Sequence, residues 1–106
     1  MKLIRIEEFR GMIPENHYDL LAWRIDDLSI GAKAMRVSLI RMEPTGRADP
    51  HSHENAEHLF IVTKGEMALR TAEGEAAFIY PGEVHENYNV VEGETEDIVV
   101  TSSLTP

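Results

Sequence analysis

From Ala34 onward the chain is cut into short runs by turn-forming residues: Pro44-Thr45-Gly46, Lys64-Gly65, Glu73-Gly74, Pro81-Gly82 and Glu92-Gly93-Glu94. Glycine reaches backbone conformations closed to other residues, and proline fixes its own, so such groups mark chain reversals. The first run alternates, and 58–63 is an uninterrupted apolar run. Met35, Val37, Leu39 and Arg41 fall on one face of the first run, with Arg36, Ser38, Ile40 and Met42 on the other. The pattern predicts strands over 34–43, 58–63, 66–72 (the hairpin partner of 58–63), 75–80, 84–91 and 95–104, and no helix. Many short strands joined by tight turns imply an all-β sandwich or small barrel.

Ahead of these runs, Lys2 to Phe9 reads as a short strand and 11–18 as a loop carrying His17. A lone loop histidine is ordinarily solvated, so His17 is set aside. Residues 19–28 fit a helix or a strand, and the β context favours a strand. Trp23 is assigned to the core or to a dimer interface. The stretch 1–33 is therefore read as N-terminal strands and loop and 34–106 as the barrel. All 106 residues form one domain of common size.

The net charge of −9, with 19 acidic residues against 10 basic ones, argues against a nucleic-acid partner. Its simplest effect is solubility. There is no cysteine, which excludes disulfides, thiolate metal sites and cysteine nucleophiles. No run approaches the roughly 20 apolar residues of a membrane span, and the charged N-terminus is unlike a signal peptide. A cytoplasmic location is the expectation.

The most chemically informative stretch is Pro50-His51-Ser52-His53-Glu54-Asn55-Ala56-Glu57-His58. Four of the five histidines, His51, His53, His58 and His85, lie within 51–85. Residues i and i+2 of an extended chain point to the same side, roughly 7 Å apart. One metal ion can bridge that spacing, and imidazole suits mid-row transition metals. The plainer reading makes all four surface residues of a polar loop. His85 argues against it, standing after a Pro-Gly turn on a different strand. The strand beginning at His58 places it with Phe60 and Val62 on one face, and Glu57 with Leu59 and Ile61 on the other.

These residues resemble the two motifs of the cupin superfamily, double-stranded β-helix (jelly-roll) barrels that bind a metal inside. His51-Ser52-His53 and Gly65 fit the first motif, and Gly74, Gly82, His85 and Asn89 fit the second. Thr45 departs from the first motif and Tyr80 from the second, where glycine and proline are usual, although Gly46 and Pro81 follow directly. Counting back from Gly65 lands the family's glutamate ligand on His58 rather than Glu57, unless a β-bulge shifts the register. The resemblance covers roughly the C-terminal two-thirds of the chain. It implies a jelly roll holding one divalent ion (Mn, Fe, Ni, Zn or Cu) on His51, His53, His58 and His85. It also implies a homodimer paired through the N-terminal strands, with Leu3 to Phe9 suited to that role.

Four neutral imidazoles leave the full charge of a divalent ion uncancelled, so the site should favour an anionic small-molecule ligand. Binding should weaken below about pH 6.5 as imidazoles protonate. Tyr80, Tyr88 and Arg41 or Arg36 are candidates for acid, base or anion clamp. Glu54, Glu57 and Glu86 are candidates for orienting a ligand histidine, or else ordinary surface carboxylates. Asn89 is expected to tie down its loop. Phe60, Val62, Met67, Leu69, Phe78 and Ile79 are expected core formers. The favoured function is a metal-dependent oxygenase or isomerase/lyase acting on a small oxygenated organic acid or dicarbonyl. The alternatives are a non-catalytic ligand-binding or sensory domain and a purely structural metal site. The absence of a DNA-binding segment before the barrel disfavours a fused regulator.

Overall fold

A computed structural model describes residues 1–53, 55–67 and 71–102, with only the backbone of Asp27 and His51. Among the described residues eight strands carry the fold: β1 (His17–Ile25), β2 (Arg36–His51), β3 (His58–Lys64), β4 (Glu66–Met67), β5 (Thr71–Ala72), β6 (Ala76–Ile79), β7 (His85–Tyr88) and β8 (Thr95–Thr101). The main sheet is antiparallel in the order β1-β2-β8-β3-β6, and β7 pairs with the far half of β2. The described ladders bend into a jelly roll without hydrogen-bonding into a closed ring. No helix among the described residues is long and apolar enough to cross a membrane.

β2 does not end at Pro44-Thr45-Gly46, where a closing turn is expected from the sequence. The strand runs through and changes partner there. Met42 is the last residue paired with β8, and Arg47 is the first paired with β7. The ladder with β1 also shifts register between Tyr18 and Leu20, opposite the same stretch. The missing N–H of Pro44 thus falls in a gap of the ladders, where proline is tolerated. Gly46 is needed at this corner: a Cβ there would sit 2.8 Å from the Asp19 carbonyl oxygen and 2.8 Å from Met42 Cβ. Gly65 serves the β3–β4 turn with φ +80°, and a Cβ would lie 2.5 Å from Thr95 Oγ1.

Other boundaries differ from the sequence reading. Lys2 to Phe9 forms no strand; Ile6–Glu8 is a single 3-10 turn. The strand expected over 19–28 is β1, followed by a four-residue helix, α1 (Asp27–Ile30). Asp26 Oδ1 accepts from the N–H groups of Leu28 (3.1 Å) and Ser29 (3.3 Å) at its start. The described ends of the strand expected over 66–72 are not paired with β3. These ends, β4 and β5, pair with each other, and β3 lies between β8 and β6.

The core is Leu20, Met42, Phe60, Val62, Met67, Ile79 and Val99. Phe78, an expected core residue, is exposed and packs edge to face on Tyr80 at 4.9 Å. It faces opposite to buried Ile79 because neighbouring strand residues point to opposite sides. Leu69 and Glu54 lie outside the described residues. Asn89 ties its loop as expected. Its Nδ2 donates to the carbonyls of Met42, Glu43 and Gly93, and its Oδ1 accepts from Val91 N–H and Thr95 Oγ1.

Candidate metal centre and ligand cavity

His58 opens β3 and alternates inward with Phe60 and Val62, opposite Thr101 of β8 and Ile79 of β6. Glu57 is exposed, its backbone held by Ser102 through Glu57 N–H to Ser102 Oγ (3.0 Å) and Ser102 N–H to Glu57 O (3.1 Å). His85 opens β7, where alternation buries His85 and Asn87 and exposes Glu86 and Tyr88. The backbone of His51 pairs with that of His85, while its side chain lies outside the described residues. His53 enters from the β2–β3 connection. Three rings from separate segments thereby converge: centroids are 4.6 Å apart for His53–His58, 5.6 Å for His53–His85 and 6.0 Å for His58–His85.

Two of these rings are oriented through Nδ1. His58 Nδ1 lies 3.1 Å from Thr101 Oγ1, and His85 Nδ1 lies 3.3 Å from the Glu83 carbonyl oxygen. With Nδ1 set against protein oxygen, Nε2 is the nitrogen that would ligate a metal, the usual support of a metal-binding histidine. An ion with bonds of about 2 Å is within reach of rings this close, so the donor set fits a divalent transition metal. Among the described residues no three His, Cys, Asp or Glu side chains already form a metal-holding group.

The rings line a cavity of about 650 Å³ that also takes in His17, Arg24, Arg36, Ser38, Phe60, Asn87, Val99 and Thr101. His17 is the residue that sequence spacing sets aside. It is the first residue of β1, opposite Ala48 of β2, and that register brings it to the cavity wall. Its Nδ1 lies 2.7 Å from the Glu15 carbonyl oxygen. Arg24 is likewise absent from the sequence-derived candidates, because its inward face is set only by pairing with Ser38. Burial, and then the neighbouring Arg36, hold the Arg24 guanidinium below its ordinary pKa, with Asp26 opposing.

The other sequence-derived candidates stand elsewhere. Tyr80 and Tyr88 are exposed, and neither is among the residues lining the cavity. Arg41 lies on the outer face, its guanidinium 5.5 Å from the Trp23 ring and near Glu94 and Glu96. Arg41 and Tyr88 point outward because each is one residue from an inward position, Met42 and Asn87. Asp97 is buried opposite Ile40 and Val62, and burial pushes its carboxyl up to about 7.

No protein-family model and no curated protein matches the sequence. Solved structures do match its shape. The polyketide cyclase RemF of Streptomyces resistomycificus superposes with a TM-score of 0.79 at 23% identity, over 98% of this chain and 85% of that one. A predicted oxalate decarboxylase of Thermotoga maritima gives 0.79 at 17% identity, over 97% and 100%. A cupin-superfamily sugar phosphate isomerase of Silicibacter pomeroyi gives 0.78 at 16%, over 95% and 75%. These likenesses and the strand order agree on one architecture, and the chain has the cupin jelly-roll fold.

Proposed function

We propose that the protein is a metal-dependent enzyme, an oxygenase or an isomerase/lyase, acting on a small oxygenated organic acid or dicarbonyl inside the barrel. The observation that carries this reading is the convergence of His53, His58 and His85 on one cavity, with His58 and His85 oriented through Nδ1. Similar folds named as a polyketide cyclase, a sugar phosphate isomerase and a predicted oxalate decarboxylase support it. His51, His53, His58 and His85 are the proposed ligands of one divalent ion, of which Mn, Fe, Ni, Zn and Cu all accept imidazole. When bound, the ion would supply Lewis acidity. His17, with Nδ1 donating to the Glu15 carbonyl, presents Nε2 as the atom that takes a proton from the ligand. Phe60 and Val99 add apolar surface to the same cavity.

The test is elemental analysis of untagged protein, followed by an oxygen-uptake and isomerisation screen of small hydroxy- and oxo-acids. Near-stoichiometric metal is expected in the parent and in Glu57→Ala, with His58→Ala losing most of it. Metal lost from Glu57→Ala but kept in His58→Ala would reverse the ligand assignment. Metal without turnover would leave a binding domain.

The same reading includes a homodimer, through a surface other than the N-terminal strands the family suggests. Trp23, Leu39 and Ile98 form an apolar outer face of β1, β2 and β8, with Ile6 and Glu7 beside them around a groove of about 430 Å³. Light scattering should give twice the chain mass at micromolar concentration, and Leu39→Glu should give the chain mass. A monomeric parent would sink this part of the proposal.

A further inference from the structure

The chain carries nine more negative than positive charges, yet its cavity wall holds two arginines. They are diagonal neighbours on the inner face. Arg24 pairs with Ser38 across β1 and β2, and Arg36 stands two residues along β2. Arg36 is 9% exposed. Arg24 Nε is buried, and no acceptor among the described residues reaches it. The Asp26 carboxylate is engaged in capping α1. Among the described residues, Glu15 is the acid that lines the same wall. Packing two guanidiniums together costs desolvation and mutual repulsion, and an anion between them offsets both.

The register sets where such an anion sits relative to the imidazoles. Arg36 pairs with Thr101, and Thr101 pairs with His58. Two strand spacings therefore separate Arg36 from His58, roughly 10 Å along the sheet. A molecule of a few carbons spans that distance.

We propose that Arg24 and Arg36 form an anion anchor that grips a carboxylate or phosphate group of the ligand while its other end faces the histidines. This deepens the functional reading above and rests on it for the second half of the statement only. Guanidinium forks match both oxyanions, and a lysine at either position supplies charge without the fork.

The experiment is calorimetric titration of metal-free and metal-loaded protein with succinate, with its neutral diamide and with inorganic phosphate. Succinate or phosphate should bind the parent, and the diamide should bind at least tenfold more weakly. Arg24→Gln and Arg36→Met should each lose about tenfold in anion affinity, with Arg24→Lys losing part of it. Circular dichroism checks that each variant is folded, and half-buried Arg24 serves if Arg36→Met is not. Preference for succinate assigns a carboxylate ligand, and preference for phosphate a phosphorylated one. Equal anion binding by parent and folded Arg24→Gln, or no anion binding by the parent, overturns the proposal. The arginine dependence is measured without metal, so a protein that binds no metal leaves this result readable.

Discussion

Asp97→Asn is expected to raise the melting temperature at about pH 8 by roughly 10 °C or more, and by much less at about pH 4.5. The Asp97 carboxyl is 2% exposed, and no donor among the described residues reaches either oxygen. Desolvation is the cause of its rise to about 7, against about 3.9 in an unfolded chain. Between those two values the folded state holds a proton that the unfolded state has released. Stability therefore falls as pH rises from about 4 to about 7, by about 4 kcal/mol in all. Asparagine has the same shape and no charge to desolvate, so the variant is spared that loss. Its own unmatched amide resembles the unmatched acid of the parent at low pH, so little changes there. Thermal unfolding of both proteins at the two pH values is the measurement. An identical drop with pH in parent and variant would show that Asp97 is not the titrating group.

Asp97 also shows why the inner face of β8 is hard to read from sequence. Thr95, Asp97, Val99 and Thr101 point inward, while Ile98 and Val100 are half-buried on the outside. A hydrophobicity argument alone inverts this strand. The barrel interior is partly a polar cavity, and the outer face of β8 carries Ile98 and Val100 beside Glu96. β3 was legible because its buried face, His58, Phe60 and Val62, is bounded by a turn that only glycine can make at Gly65. That same register turns His58 inward and Glu57 outward. The clustering of His53, His58 and His85 was legible too, since each sits next to a turn or an alternating strand. His17 and Arg24 were not legible, because only the β1–β2 pairing brings them to the cavity. The 3-10 turn at Ile6–Glu8 escaped for a related reason: alternation predicts a strand only where a neighbouring edge offers hydrogen bonds.

Chelation is expected to lower the melting temperature of metal-loaded protein by roughly 10 °C or more, and His85→Ala should lie near the chelated value with or without chelator. β7 hydrogen-bonds to β2 through its ladder, whereas β3 pairs with β8 and β6. No ladder among the described residues joins β7 to β3. An ion held by His58 and His85 ties those strands together directly, a link the backbone does not make. Because the unfolded chain lacks the site, binding free energy becomes folding free energy, about 4 kcal/mol when metal stands at a thousand times its dissociation constant. His85→Ala removes the only ligand contributed by β7, so the cross-link fails even where the remaining imidazoles hold an ion weakly. His17→Ala is the matching control: it alters the same cavity while leaving the four proposed ligands in place, and it should keep most of the chelator response. A chelator response preserved in His85→Ala would remove β7 from the metal centre, and with it the convergence on which the functional reading depends.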